Sequence, residues 1–285
     1  MRYLAVKGGL FMNVGFIGTG NMGKILIQAL LDAKAVPPSS VTITNRTLEK
    51  AAEIQKEYSG LKLAEGAAET AANSDLIFIC VKPHDFADVI QEIRPYLSDE
   101  DCVISITSPI SAEQLESFVP CSAARVIPSI TNRAHAGVAL VTYGEHFRDE
   151  WKQKLMPLIE AIAKPVEIEE EITRVSSDIV SCGPAFFSYL TQQFINAAVA
   201  ETKINRETAT VLASEMLIGM GELLKKGHYT LPALQRKVCV KGGITGEGIK
   251  VLEKELGDVF RHVFQATHSK FEEDLTQVKK QFTVH

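Results

Sequence analysis

The fold of this chain is decided by the stretch Asn13-Val-Gly-Phe-Ile-Gly-Thr-Gly-Asn-Met-Gly23. The apolar run from Val14 to Ile17 predicts a buried strand, the motif Gly-x-Gly-x-x-Gly follows it, and a helical pattern then continues to about Asp32. A dinucleotide pyrophosphate requires this order, because bare backbone can approach the phosphates and the N–H groups at the helix start face their negative charge. We therefore predict a cofactor site that contains Gly18, Thr19, Gly20, Asn21, Met22 and Gly23.

The second predicted strand, Val41 to Thr44, indicates which dinucleotide is bound. It ends at Asn45, Arg46 and Thr47, where an NAD-binding chain carries an acidic residue, about 20 residues after the glycine motif, to hold the ribose. These three side chains are hydrogen-bond donors instead, and the planar guanidinium of Arg46 suits a phosphate. The sequence favours NADP(H), with NAD(H) as the alternative. In a second interpretation, Arg46 is a solvated loop residue and Thr47 only caps the next helix.

Two further strand ends are expected to border the same crevice. The nearly uniform apolar run from Asp75 to Val81 predicts a central parallel strand, and Lys82-Pro83-His84 follows it. The next buried strand ends at Thr107-Ser-Pro109. Because ligands of doubly wound sheets lie beyond the carboxyl ends of the strands, both loops should face the cofactor. Without further context, Lys82 and His84 also fit an ordinary surface loop.

The chain divides into three predicted parts. Residues 1–11 precede the first strand and form an N-terminal extension, residues 12–147 alternate strands and helices as a dinucleotide-binding domain, and residues 148–285 are helical. The predicted fold class is therefore an α/β Rossmann-type doubly wound sheet followed by an all-helical dimerisation domain. From Ala185 to Leu224 apolar residues occur on more than one helix face, which favours a homodimer over an unusually buried monomer core.

Composition excludes several classes of function. The net charge of -5 and the pI of about 5.9 argue against nucleic acid as a partner. No apolar run reaches the about 18 residues that a membrane helix requires. The five cysteines are scattered and lack a Cys-x-x-Cys pair, which indicates reduced thiols in a cytoplasmic protein and no metal site.

A second glycine-rich segment lies between two predicted helices, at Lys241-Gly-Gly-Ile-Thr-Gly-Glu-Gly248. Bare N–H groups, a helix start and the hydroxyl of Thr245 together predict an anion site that suits a substrate carboxylate. Alternatively, Thr245 serves only as the N-cap of the helix. The residues of this segment leave the two interpretations open.

Several segments, taken together in this order, are distinctive: Gly15-Phe-Ile-Gly-Thr-Gly-Asn-Met-Gly23, Asn45-Arg46, Ser74-Asp-Leu-Ile-Phe-Ile-Cys-Val-Lys-Pro83, Ser105-Ile106, Arg125-Val-Ile-Pro128, Gly183-Pro-Ala185, and Gly242-Gly-x-Thr245 with Leu252-Glu253. On these segments, from Met12 to Leu275, the chain resembles the pyrroline-5-carboxylate reductase family. The resemblance implies reduction of a cyclic imino acid to proline with NADPH or NADH. It also implies a Rossmann domain, a helical dimerisation domain, and dimers that gather into larger rings.

The resemblance also assigns roles to individual residues. Val81, Lys82 and Pro83 match positions of the family's cofactor loop, and Thr245 matches the hydroxyl near the imine nitrogen, which makes it the catalytic candidate. The carboxylate cradle of the family matches the backbone around the two glycines of the second segment. The predicted substrate-binding residues are therefore Val240, Lys241, Gly242, Gly243, Ile244 and Gly246.

Departures from the family pattern concentrate in the substrate half. The family's Ser-Pro-Gly-Gly-x-Thr begins here with Val240-Lys241, so one hydroxyl that would hold the carboxylate is missing, at a cost of about 1.5–3 kcal/mol. Other departures are Ser129-Ile-Thr131, Cys182, Phe186, Ala67 and Glu215-Met216. The pattern resembles a branch of the family that is encoded with late competence genes in spore-forming bacteria.

Two other functions are weighed against imine reduction. A β-hydroxyacid dehydrogenase needs a general base, commonly a lysine on the long interdomain helix, but residues 183–200 contain no Lys, Asp, Glu or His. A non-catalytic NADP-binding regulator, which keeps the fold and loses the pocket, is compatible with the drifted substrate positions.

Overall fold

The computed structural model describes residues 12–283, so the predicted extension at residues 1–11 lies outside the described residues. Within them, eight strands form one sheet in the order β3-β2-β1-β4-β5-β6-β7-β8. The strands are β1 (Val14–Ile17), β2 (Val41–Thr44), β3 (Lys62–Leu63), β4 (Leu76–Ile79), β5 (Cys102–Ser105), β6 (Ser122–Ile127), β7 (Val138–Tyr143) and β8 (Lys164–Glu167).

Neighbouring strands of the sheet are parallel except for β7, which runs antiparallel to β6. The residues of β1, β2, β4 and β5 are all buried, as expected for parallel strands covered on both faces. Strand β1 lies between β2 and β4, and its last residue, Ile17, is aligned with Thr44 on one side and Ile79 on the other. The segments that follow these three strands therefore meet at one edge of the sheet.

The α-helices of the described residues are α1 (Asn21–Asp32), α2 (Leu48–Glu57), α3 (Ala67–Ala72), α4 (Phe86–Ile93), α5 (Ala112–Glu116), α6 (Asp149–Glu160), α7 (Thr173–Ser177), α8 (Gly183–Glu201), α9 (Arg206–Lys225), α10 (Leu231–Val238), α11 (Ile244–Glu255) and α12 (Val259–Thr283). Short 3₁₀ turns include Pro83–Asp85 and Glu170–Ile172. In residues 12–283 no helix has the length and apolar character that crossing a membrane requires.

Each face of the sheet has its own hydrophobic core. On one face, Phe16 stacks on Phe78 with ring centroids 5.0 Å apart, beside buried residues of α1 and α6. On the other face, Ile77 and Ile79 pack with buried residues of α4 and α5. Helices therefore cover both faces, which confirms the predicted Rossmann-type arrangement followed by helices.

The described chain forms two compact units, and their boundaries differ from the predicted one between residues 147 and 148. One unit comprises residues 12–184 and 266–283, and the other is Ala185–Gln265. Strand β8 pairs with β7 and so belongs to the sheet. The end of α12 joins the same unit, because Val278 is buried in its core and Phe282 stacks on Phe118 at 4.3 Å. An amphipathic pattern predicts a helix but does not say which core its apolar face joins.

No loop separates α7 from α8 at Cys182-Gly-Pro-Ala185. A π-turn, Asp178–Cys182, connects α7 directly to α8. In a regular helix the residue at position 184 would donate to the carbonyl of Val180, but Pro184 has no N–H. The hydroxyl of Ser129 donates to that carbonyl instead, at 2.8 Å. A contact from a distant strand end therefore replaces the missing helical bond, and local sequence could not predict it.

Candidate nucleotide-binding site and family

Two glycines of the turn after β1 are required by the chain itself. Gly18 has a φ of 104°, and a Cβ there would lie 2.7 Å from the carbonyl oxygen of Cys80. A Cβ on Gly23 would collide with the carbonyl oxygen of Gly18. The Gly18 N–H donates to the Thr44 carbonyl at 2.9 Å, which ties the turn to the end of β2. These contacts fix the turn at the carboxyl edge of the sheet.

The remaining turn residues present unused polar groups. Gly20 occupies the N-cap position of α1 in an extended conformation, no side chain caps the helix, and a Cβ on Gly20 would meet no atom within 4 Å. Among the described residues, the buried hydroxyl of Thr19 has no hydrogen-bond partner. Open space beside uncapped N–H groups and an orphan hydroxyl fits the pyrophosphate of a dinucleotide.

A cavity of about 560 Å³ opens beside this turn. The ends of β1, β4, β5 and β6 contribute to it, as the rule for doubly wound sheets predicts. Its lining is Gly20, Asn21, Met22, Cys80, Val81, Lys82, Ile106, Thr107, Ser108, Ile127, Pro128 and Ser181. The predicted turn and cofactor loop are thus brought together. The sequence predicted no role at the site for five lining residues: Cys80, Ile106, Ile127, Pro128 and Ser181. Cys80 and Ile106 lie within predicted strands, and Ser181 lies on a helical segment without a glycine or charge signal.

The predicted residues after β2 lie outside the lining of that cavity. The Oδ1 of Asn45 accepts a bond from the Thr19 N–H at 3.0 Å, so Asn45 supports the glycine turn. Arg46 is largely exposed, and its Nη1 lies 3.3 Å from Oδ1 of Asp85, at the end of the turn that Pro83 begins. Thr47 occupies the N-cap position of α2 but its side chain makes no cap bond. The second interpretation therefore places Thr47 correctly at the start of α2, although its hydroxyl does not cap the helix.

A buried arginine, for which the sequence predicted no role, holds the loop after β5. Arg125 on β6 is fully buried, and its guanidinium donates to the Ser108 carbonyl at 3.0 Å. It also donates to both carboxylate oxygens of Glu170, at 3.0 and 2.6 Å, and to the Thr173 hydroxyl at 2.7 Å. Because Ser108 lines the cavity, Arg125 fixes one wall of it from behind.

The π-turn is tied to the segment that follows β6. The Ser181 hydroxyl donates to the Pro128 carbonyl at 2.8 Å, and both residues line the cavity. The one cysteine in the lining, Cys80, is buried, and burial raises the pKa of its thiol well above the ordinary value, so it stays protonated and is not a nucleophile at neutral pH. Within residues 12–283 no group of three or more His, Cys, Asp or Glu side chains could hold a metal ion.

The second glycine-rich segment is described within its own unit. Gly242 has a φ of 75°, and Gly243 is the N-cap of α11, so Thr245 lies inside the first helical turn and the N-cap alternative for it is wrong. The N–H of Gly243 donates to the Val240 carbonyl at 2.9 Å, and that of Gly246 to the Gly243 carbonyl at 3.2 Å. The N–H groups of Gly243 and Gly246 are therefore used within the segment, which leaves fewer N–H groups for the predicted carboxylate.

What remains of the cradle is a short, exposed helix start. The N–H groups of Ile244 and Thr245, in the first turn of α11, lack intrahelical acceptors. The side chain of Lys241 and the hydroxyl-bearing Thr245 are exposed, and so is Val240, in place of the family's serine. Two donors, one hydroxyl and one cation thus stand at one helix N-terminus.

Comparisons with known proteins agree with this geometry. Residues 13–109 match the family model "NADP oxidoreductase coenzyme F420-dependent", and residues 170–274 match "Pyrroline-5-carboxylate reductase dimerisation". The chain is 55% identical to ComE operon protein 4 of Bacillus subtilis, covering 96% of this chain and 100% of the relative. It is 30% identical to pyrroline-5-carboxylate reductase 3 of the same organism, covering 94% and 98%.

Solved structures support the same fold. Pyrroline carboxylate reductase of Plasmodium falciparum with NADP bound has a TM-score of 0.80 at 23% identity, covering 94% of this chain and 98% of that one. The enzyme of Coxiella burnetii has a TM-score of 0.78 at 22% identity, covering 95% and 99%. The matched families support a nicotinamide dinucleotide as the cofactor. With its nucleotide-binding turn, its helical second unit and its 30% identity to a named reductase, this chain belongs to the pyrroline-5-carboxylate reductase family.

Proposed function

We propose that this protein reduces pyrroline-5-carboxylate, a cyclic imino acid, to L-proline with NADPH. The observation that carries the proposal is the set of unpartnered donors at the glycine turn, beside a cavity large enough for a nicotinamide nucleotide. Family membership supplies the substrate class. The exposed guanidinium of Arg46 after β2 supports NADP(H), and NAD(H) remains the alternative cofactor.

The chemistry required of the chain is binding and orientation. NADPH, when bound, supplies the hydride. In this proposal the Thr245 hydroxyl hydrogen-bonds the ring nitrogen, and the N–H groups of Ile244 and Thr245 hold the carboxylate. Lys241 adds a positive charge that compensates for the serine hydroxyl lost at Val240. A protonated imine is already electrophilic, so no strong base is needed among these residues.

Thr245→Ala is expected to lower kcat for pyrroline-5-carboxylate about a hundredfold, because a hydrogen bond to the reacting nitrogen is lost. The Kd for NADPH should stay unchanged, since Thr245 is assigned to the substrate. Steady-state kinetics and nucleotide titration measure the two effects. Thr276→Ala is the matched control, because that helical threonine donates to the Glu272 carbonyl within α12. Full activity in Thr245→Ala would remove this residue from the site.

A second candidate function is an NADP-binding regulator without turnover. Two observations favour it: the exposed apolar side chain of Val240 at the substrate segment, and the 55% identity to ComE operon protein 4. Tight NADPH binding with no oxidation of NADPH in the presence of pyrroline-5-carboxylate would select the regulator. Turnover above the rate without substrate would select the reductase.

We further propose that the protein is a homodimer, with larger assemblies built from dimers. In the single chain, helices α8 and α9 expose large apolar side chains to water. They are Phe187, Tyr189, Phe194, Val211, Leu212, Met216 and Ile218. Exposed large apolar side chains in this number are typical of a protein interface. The cytoplasmic location and the expected lack of nucleic-acid and membrane partners stay predictions.

Light scattering is expected to give a mass of at least twice the chain mass of 31.2 kDa. Phe194→Glu should shift the mass to that of one chain, because Phe194 is 67% exposed in the isolated chain and a buried carboxylate would be unpaired in the dimer. Lys62→Glu, at the exposed start of β3, is the control for a simple change of charge. A wild-type protein that is monomeric at micromolar concentration would contradict the proposed dimer.

A further inference from the structure

An ion pair joins the segments that follow the two neighbours of β1 in the sheet. Arg46 follows β2 and Asp85 follows β4, and these strands flank β1, which ends in the glycine turn. The Nη1 of Arg46 and Oδ1 of Asp85 are 3.3 Å apart, and their side chains are 86% and 28% exposed. The residue best placed to hold a 2′-phosphate is therefore already paired with a carboxylate.

Asp85 is the more fixed partner of this pair. Its N–H donates to the Lys82 carbonyl at 3.0 Å. The next residue, Phe86, begins α4 and is fully buried. Arg46 is a long, solvent-exposed side chain with several rotamers. The carboxylate thus stays in place when a ligand arrives, whereas the guanidinium is free to turn toward it.

We propose that Asp85 is a specificity residue that competes with the 2′-phosphate of NADP(H) for Arg46 and so reduces the preference for NADP(H) over NAD(H). A phosphate that binds Arg46 must either share the guanidinium with the Asp85 carboxylate or displace that carboxylate from it. If the two anions share the guanidinium, they lie close enough to repel each other. NAD(H) has no 2′-phosphate and meets neither cost. This inference rests on the proposed binding of NADP(H) and deepens it.

The test compares Kd values for NADPH and NADH at low ionic strength in the wild type, Asp85→Asn, Arg46→Gln and the double variant. Asp85→Asn should tighten NADPH binding about two- to fivefold, because breaking an exposed ion pair changes an equilibrium constant by about that factor. The Kd for NADH should stay unchanged. Adenosine 2′,5′-bisphosphate and adenosine 5′-monophosphate should repeat this contrast without the nicotinamide. In the Arg46→Gln background the gain should shrink, because the contested guanidinium is gone.

Asp88→Asn is the matched control. Asp88 is an exposed carboxylate in the first turn of α4, and its substitution removes the same charge as Asp85→Asn. Equal tightening of NADPH and NADH, the same gain from Asp88→Asn, or a full gain without Arg46 would each overturn the competition. Those results would leave NADPH binding itself intact. Failure of wild type and variants to bind either nucleotide would instead overturn the proposed function, and this inference with it.

Discussion

Replacing Gly20 by alanine is expected to weaken NADPH binding at least about tenfold while the free energy of unfolding changes by less than about 0.5 kcal/mol. The backbone of Gly20 is extended, which alanine adopts without strain, and its Cβ would enter empty space. That space is where the pyrophosphate is proposed to lie. Gly23→Ala is expected to lower the free energy of unfolding by about 3 kcal/mol, because its Cβ meets backbone rather than a movable side chain.

The two variants are controls for each other, since both add one methyl group to the same turn. Chemical denaturation gives the stability and nucleotide titration gives the affinity. Unimpaired NADPH binding by Gly20→Ala would mean that the phosphates lie elsewhere. Unimpaired stability of Gly23→Ala would mean that α1 can move away from the turn without cost.

Arg125→Ala is expected to lower the free energy of unfolding by about 3 kcal/mol. This value lies at the lower end for breaking a buried ion pair, because Glu170 is 51% exposed and can be rehydrated by water. The variant also leaves the buried Thr173 hydroxyl and the Ser108 carbonyl without their donor. We expect weaker NADPH binding as well, because the loop that carries Ser108 loses its anchor.

Arg133→Ala is the control for Arg125, since its Nη1 pairs with Asp32 at 2.7 Å but both side chains are partly exposed. That substitution should cost less than about 1 kcal/mol. Glu170→Gln gives a second comparison, because it keeps an acceptor beside the buried guanidinium but removes the negative charge. Equal losses in Arg125→Ala and Arg133→Ala, measured by chemical denaturation, would show that burial of the guanidinium adds nothing.

The two glycine-rich segments of the chain differ in how closely they follow the family pattern. The glycine turn keeps the glycines that its geometry requires, whereas the proposed substrate segment has Val240 and Lys241 where the family pattern has Ser-Pro. Loss of one hydrogen bond lowers affinity for a carboxylate by about ten- to a hundredfold unless a charge compensates. The kinetics of Lys241→Ala would therefore report whether this lysine binds the substrate.

The order of residues was enough to predict the α/β class, the strands of the nucleotide domain and the glycine turn. These features depend on short-range rules: an apolar run predicts a buried strand, and a turn with positive φ and close backbone contacts requires glycine at Gly18 and Gly23. The helical pattern after residue 148 and the second glycine-rich segment were also visible in the sequence, and the family resemblance assigned that segment to the substrate. Local pattern also placed Val81 and Lys82 at a strand end, where the cavity opens.

The folded chain alone shows which distant groups meet. It brought Arg125 to Glu170 and Ser108, gave Val180 a donor from Ser129, and put Asp85 beside Arg46. These pairs are separated by many residues, and hydrogen bonds between separated segments leave no periodic signal in sequence. The same holds for the end of α12, whose apolar stripe is visible in the sequence although the core that Val278 joins is not. Short-range sequence patterns therefore decide where the helices and strands form, and packing between distant segments decides which residues form the walls of the cavity.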